Sequence, residues 1–206
     1  MRILVFDTET TGLPPSKWLK NWQLKDWPYI IQLAFILYDT EEQDILYDYN
    51  EIIKLPKEAV LSRESTKVHG ITRRDSAREG VNIMEGLKLF KLCLELADDV
   101  VAHNLEFDVN MIRAECMRNN FRLNLFNEDE RAQITNPTKR YICTMKSGKE
   151  ICNIQAVSKK DGEKYIKFPS LTELYTNLYT VPPEGNLHDA FVDTAFCLKC
   201  YLKLMK

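Results

Sequence analysis

Ile3-Leu4-Val5-Phe6, four apolar residues in a row that run straight into Asp7-Thr8-Glu9, constrain this chain more than any other segment. A short run that is apolar at every position fits a strand covered on both faces, which places it at the centre of a sheet. Asp7 and Glu9 then point to one face of that strand, with Cα atoms roughly 6.5–7 Å apart. Two like charges there repel, and partial burial drives a carboxyl pKa upward. A divalent cation relieves both problems, because Mg²⁺ and Mn²⁺ prefer hard oxygen ligands. The plainer reading is that the two acids merely mark the strand's exit into the turn Thr11-Gly12-Leu13-Pro14.

The rest of the chain alternates strand and helix patterns. Strands are predicted over 2–8, 29–38, 45–54, 100–102 and 141–145. Helices are predicted over 83–97, 105–118, 171–178 and 190–204. Leu87, Phe90, Leu94 and Ala97 make one helical stripe. This order predicts an α/β domain with a mixed central sheet flanked by helices. The 206 residues suit a single domain over 1–206, with no repeat or linker to divide it. No apolar run approaches ~18 residues, and the apolar start is too short for a secretory signal, so an intracellular protein without a membrane span is expected. The six cysteines then read as reduced thiols, with Cys197 and Cys200 in the core rather than on zinc.

Net charge is −2, so the chain as a whole does not attract polyanions. Its distribution is uneven. Between Thr138 and Lys167 eight Lys/Arg stand against three acids, +5 locally and −7 elsewhere. A basic strip on an acidic body steers a phosphate backbone to one place, although a solvated lysine-rich loop has the same composition. All three tryptophans (Trp18, Trp22 and Trp27) lie among Lys17, Lys20 and Lys25. That pattern suits either base stacking or packing over the sheet, and packing is expected for Trp27.

Two further acidic segments follow. In His103-Asn104-Leu105-Glu106-Phe107-Asp108, Asn104 is a candidate N-cap and Asp108 falls in the early turns of a helix, where the dipole favours an anion. Phe107, Met111 and Ala114 make the buried stripe, which puts Asp108 near its edge. In His188-Asp189-Ala190-Phe191-Val192-Asp193, His188 and Asp193 would diverge by about 140° if both were helical. With Asp189 as N-cap, His188 sits on the preceding loop and reaches the same pocket as Asp193. Asp193 heads a largely buried face with Cys197 and Cys200, where an unpartnered carboxylate is expensive.

Taken together, FDTETTG (6–12), HNLEFD (103–108) and HDAFVD (188–193) resemble, in order, the three motifs of the DEDDh family of 3′-to-5′ exonucleases. His69-Gly70-Ile71-Thr72 and Pro169–Tyr175 (PSLTELY) resemble the proofreading epsilon-subunit (DnaQ-like) branch. The position that carries a tyrosine in the sister group holds Asp189 here, which implies the His type. The resemblance implies an RNase H-like fold and two Mg²⁺ or Mn²⁺ ions. It implies Asp7, Glu9, Asp108 and Asp193 as metal ligands and His188 as general base; His103 is the rival base, although its strand-end and helix-cap context favours a structural role. Such a site without metal would be electrostatically strained. Thr10, Thr11, Gly12 and Leu13 would cradle the terminal nucleotide, with Leu13 as a wedge, while Asn104 and Phe107 line the other side and His69 lies close by.

The expected partner is a nucleic-acid 3′ end, single-stranded or frayed, with DNA favoured over RNA. RNase T and oligoribonucleases share the motifs, so an RNA-specific enzyme is the alternative, as is a non-catalytic end-binding module. The chain ends thirteen residues after Asp193, which suggests either a free-standing enzyme or one that meets a DNA polymerase in trans. A haloacid-dehalogenase-like phosphatase fits less well, because its second aspartate is replaced by Glu9.

Overall fold

Arg2–Thr10 forms β1, and its residues 3–6 are fully buried. The computed structural model describes residues 1–15, 21–123, 139–185 and 187–205, without the side chains of residues 21–23. Strands β2 (Ile30–Asp39), β3 (Asp44–Ile52), β4 (Asp99–Ala102) and β5 (Arg140–Cys143) complete a mixed sheet in the order β3-β2-β1-β4-β5. β1 pairs parallel with β4 and β4 with β5, whereas β2 pairs antiparallel with both β1 and β3. β1 therefore lies in the middle, as its unbroken apolar run requires.

The helices are α1 (Arg63–His69), α2 (Arg73–Glu79), α3 (Ile83–Leu96), α4 (Leu105–Arg118), α5 (Thr144–Ser147), α6 (Lys149–Cys152), α7 (Leu171–Tyr179) and α8 (Ala190–Leu204). Alternation along β1 divides the core in two. Leu4 and Phe6 pack with α3 and α4, where Phe6 and Phe35 both meet Phe90 edge-on. Ile3 and Val5 pack with Cys197, Leu198 and Tyr201 of α8. Each fully buried large side chain contributes about 1.5–3 kcal/mol. At the end of the sheet remote from Glu9, buried Asp99 accepts from Arg140 and from the Tyr201 hydroxyl, which ties β4, β5 and α8 together.

Several expected boundaries move. β1 runs on to Thr10 through a register shift after Glu9. The fifth strand stops at Cys143, because Thr144 turns inward to start α5 and engages His103. α1 and α2 were not expected. They are too short for a helical period to show, and they rest on caps at Ser62 and Thr72 instead. The lysine-rich stretch contains a hairpin, β6 (Gln155–Val157) with β7 (Lys164–Ile166), where no strand was predicted. Trp27 is buried in the α3–α4 core, as expected. Trp18 and the side chain of Trp22 lie outside the described residues.

Candidate active site

The three acidic segments converge at the C-terminal end of β1. The register Val5↔Val101 brings the end of β4 level with Asp7, so α4 begins beside that end. Thr8 points to the α4 face, and its main-chain N–H and hydroxyl both donate to Asp108, at 3.1 and 2.8 Å. Asp7 and Glu9 point to the opposite face, where α8 packs. The acids thus approach the strand end from both sides. Asp108 is buried (2% exposed) rather than at the edge of its helix face.

α8 begins as expected. The Asp189 carboxylate accepts from the N–H groups of Phe191 and Val192, leaving His188 on the loop with φ 69°. Glu9, His188 and Asp193 each offer one ligand atom, all within 4.8 Å of one another, a spacing that one metal ion can bridge. Asp7 and Asp108 stand next to this trio and are coupled to it by charge.

Burial pushes all four carboxyls up, and repulsion from the other acids adds to it at Asp7 and Glu9. Asp7 rises well above the usual carboxylate range through burial, then through the charges of Asp108, Glu9 and Asp193. Burial and the Asp193 charge lift Glu9 to about 8. Asp108 reaches about 7 through burial, opposed by its bonds from Thr8. Asp193 is raised by burial and partly pulled back by His188. Four carboxylates that form no ion pair with a Lys or Arg among the described residues are the donor set of a hard divalent ion.

His103 is engaged elsewhere. Its Nδ1 meets Thr144 Oγ1 at 3.0 Å and its Nε2 meets the Pro169 carbonyl at 3.1 Å, while burial lowers its pKa to about 4. It remains a neutral clasp, which matches its expected structural role. Asn104 occupies the N-cap position in left-handed conformation but makes no side-chain cap bond, contrary to the capping expected of it. The Thr10 hydroxyl donates to the Gly12 carbonyl, and Thr11 Oγ1 accepts from the Tyr29 N–H, so both side chains brace the turn. Gly12 has open space above it, and Leu13 is 87% exposed. Phe107 is half-buried against the core. His69 Nδ1 accepts from the Ile71 N–H, and its buried ring also meets the Thr10 main chain.

Sequence reading missed one residue here. Gln32 lies opposite Glu9 in the β1–β2 register and is buried. Its Nε2 donates to Asn50 and to Asp189 Oδ2, and its Oε1 accepts from the Ala190 N–H. It fastens the start of α8, and with it His188, to the sheet. The signal was present in the sequence: Gln32 is the single amide side chain in the apolar run 29–38, and a buried amide requires partners.

A family model described as an exonuclease, RNase_T, matches residues 4–201. The chain belongs to the exonuclease family. It is an enzyme of that family with the RNase H-like fold. E. coli Exonuclease I in complex with a dA16 oligonucleotide is similar to it at 18% identity with a TM-score of 0.68, covering 100% of this exonuclease and 40% of that chain. Cell-death related nuclease 4 is 16% identical with a TM-score of 0.67, covering 99% and 63%. The nuclease domain of 3′hExo, a DEDDh family member bound to rAMP, is 13% identical with a TM-score of 0.64, covering 99% and 91%. The exonuclease chain thus spans about two fifths of the length of Exonuclease I. No curated protein sequence matches it. Among the described residues no helix is long and apolar enough to cross a membrane.

Proposed function

We propose that this chain, as a single domain over residues 1–206, removes nucleotides from nucleic-acid 3′ ends by hydrolysing the terminal phosphodiester to release nucleoside 5′-monophosphates. The observation that carries the reading is the convergence of Asp7, Glu9, Asp108 and Asp193 on one strand end, with every carboxyl driven up in pKa. Folding this much like charge together is costly without a bound cation. Asp7, Glu9, Asp108 and Asp193 would hold two Mg²⁺ or Mn²⁺ ions, which when bound activate the attacking water and stabilise the leaving 3′-oxygen.

The chain's own groups supply the remainder. His188, exposed on its loop beside Glu9 and Asp193, takes the proton from the attacking water, assistance typically worth ~10²–10⁴ in rate. Gly12 leaves room for the terminal nucleotide to approach the main chain, and exposed Leu13 wedges against its base. Thr10 and Thr11 shape that turn from beneath. Asn104, with no cap bond to make, and Phe107 line the opposite wall. The meeting of the buried His69 ring with the Thr10 main chain supports its placement beside the turn that takes the nucleotide.

DNA is the favoured substrate, and the epsilon-subunit (DnaQ-like) branch the favoured relative, on the strength of the His69–Thr72 and Pro169–Tyr175 motifs. An intracellular enzyme that works alone or with a DNA polymerase in trans follows from that placement. RNA is the second reading, since a structurally similar 3′-exonuclease is recorded in 3′-end specific recognition of histone mRNA stem-loop. The test is digestion of end-labelled single-stranded DNA, duplex DNA and RNA with Mg²⁺ or Mn²⁺ against an EDTA blank. Stepwise shortening from the 3′ end, absent in EDTA, is expected. Release of phosphate from free monophosphates without shortening of the polymer would replace this reading with a phosphatase.

A further inference from the structure

The excursion between β5 and α7 leaves the sheet beside the acid cluster and returns to the same place. Thr144 at its start and Pro169 at its end both bond the ring of His103, which directly precedes Asn104 and α4. A two-stranded hairpin is marginal alone in water, and these two feet tie both ends of the excursion that carries β6–β7 to the start of α4. The turn is well built. The Ser158 N–H donates to the Glu163 carbonyl and the Gly162 N–H to the Ser158 carbonyl, with Gly162 at φ 76°. Asp161 accepts from the Glu163 N–H, which keeps this acid within the turn.

The structure also divides the basic strip. Lys139 donates to main-chain carbonyls, Arg140 holds Asp99, and Lys167 pairs with Glu173 at 2.6 Å. Lys146, Lys149, Lys159, Lys160 and Lys164 form no ion pair with any carboxylate among the described residues. Aromatic rings stand among them. Tyr165 is half-exposed, with only Ala156 opposite it in the hairpin, and Lys149 Nζ lies 5.2 Å from the ring centroid of exposed Phe168. Lysines without a carboxylate partner, interleaved with exposed rings, can neutralise phosphates and stack bases without reading sequence.

We infer that the β6–β7 hairpin, with the Lys149–Phe168 pair at its base, is a second contact surface for the unpaired strand whose 3′ end enters the acid cluster, a step that rests on the nuclease reading above. The strand would lie along the hairpin upstream of the scissile bond, so binding by a long strand and turnover of a minimal substrate are separable. The experiment uses the full chain carrying Lys159→Ala, Lys160→Ala and Lys164→Ala. Affinity for a single strand of about 20 nucleotides, longer than one typical footprint, is measured by fluorescence anisotropy in EDTA across a salt series. Turnover of the p-nitrophenyl ester of thymidine 5′-monophosphate is followed with Mg²⁺ or Mn²⁺.

The triple variant is expected to bind the strand at least about tenfold more weakly, with a salt slope shallower by about 2, since each phosphate neutralised on a single strand contributes about 0.7. Turnover of the ester stays at the wild-type rate. Tyr165→Ala is expected to weaken strand binding about fivefold or more with no change in the salt slope, as loss of a stacking contact requires. Unaltered strand affinity in both variants, or equal losses on strand and ester, would overturn the inference. Wild-type protein that binds the strand through these lysines yet cleaves neither substrate would overturn the nuclease reading and leave the surface standing.

Discussion

Glu9→Gln should make the metal-free protein more stable while abolishing hydrolysis. Burial and the neighbouring acids raise Glu9 from 4.5 to about 8. Between those values the folded protein holds a proton that the unfolded chain has released. Raising the pH through this window therefore favours unfolding, and the full penalty is present above about pH 8. At 1.36 kcal/mol per unit, the shift sets a ceiling of roughly 5 kcal/mol. Glu9 keeps some contact with solvent and shares its titration with Asp193 and Asp108, so about 2–3 kcal/mol is the reasoned effect. For a chain of this size that corresponds to a Tm higher by about 5–10 °C. Scanning calorimetry in EDTA at about pH 5 and about pH 8.5 reads it, with the gap small at the lower value and near its maximum at the higher. Adding Mg²⁺ should stabilise the wild type strongly at the higher pH and the variant much less. A variant no more stable than wild type at high pH, or a gap independent of pH, would refute the claim that these acids crowd one water-poor cage.

The other predictions concern the chemistry and the parts that hold it in place. Asp108→Asn and His188→Ala should each leave the fold intact and cut 3′-end hydrolysis at least about a hundredfold; near-normal turnover in His188→Ala would remove that residue from the base role. Gln32→Leu leaves the Ala190 N–H and the cap at Asp189 without their partner. Urea unfolding should show a loss of about 1–3 kcal/mol, and kcat should fall while KM holds, whereas unchanged kcat would mean the Asp189 cap alone positions α8. Leu13→Ala, at a site 87% exposed, should shift stability by less than about 0.5 kcal/mol. It should raise KM for the 3′ end severalfold, and an unchanged KM would deny Leu13 any wedge role.

The sheet centre was legible because residues 3–6 leave no polar face, and α3 and α8 because their stripes keep a helical period and Asp189 supplies a cap. Asp7 and Glu9 were legible as neighbours, since two residues along a strand must share a face. α1, α2 and β6–β7 were not, being too short for a period to emerge. Asp108 was expected at an edge and lies buried, because its depth depends on how α4 meets Thr8, one hundred residues earlier. Gln32 announced itself only as an amide in an apolar strand; that it reaches Asp189 and Ala190 required α8 to be docked. From sequence alone came the element types, the α/β class and the chemical character of each motif, because these follow from local periodicity and side-chain type. Tertiary structure alone decided that acids from β1, α4 and α8 share one end of the sheet, and that the lysine-rich excursion begins and ends there. Both outcomes depend on strand order and on bonds such as those to His103, made between residues far apart along the chain.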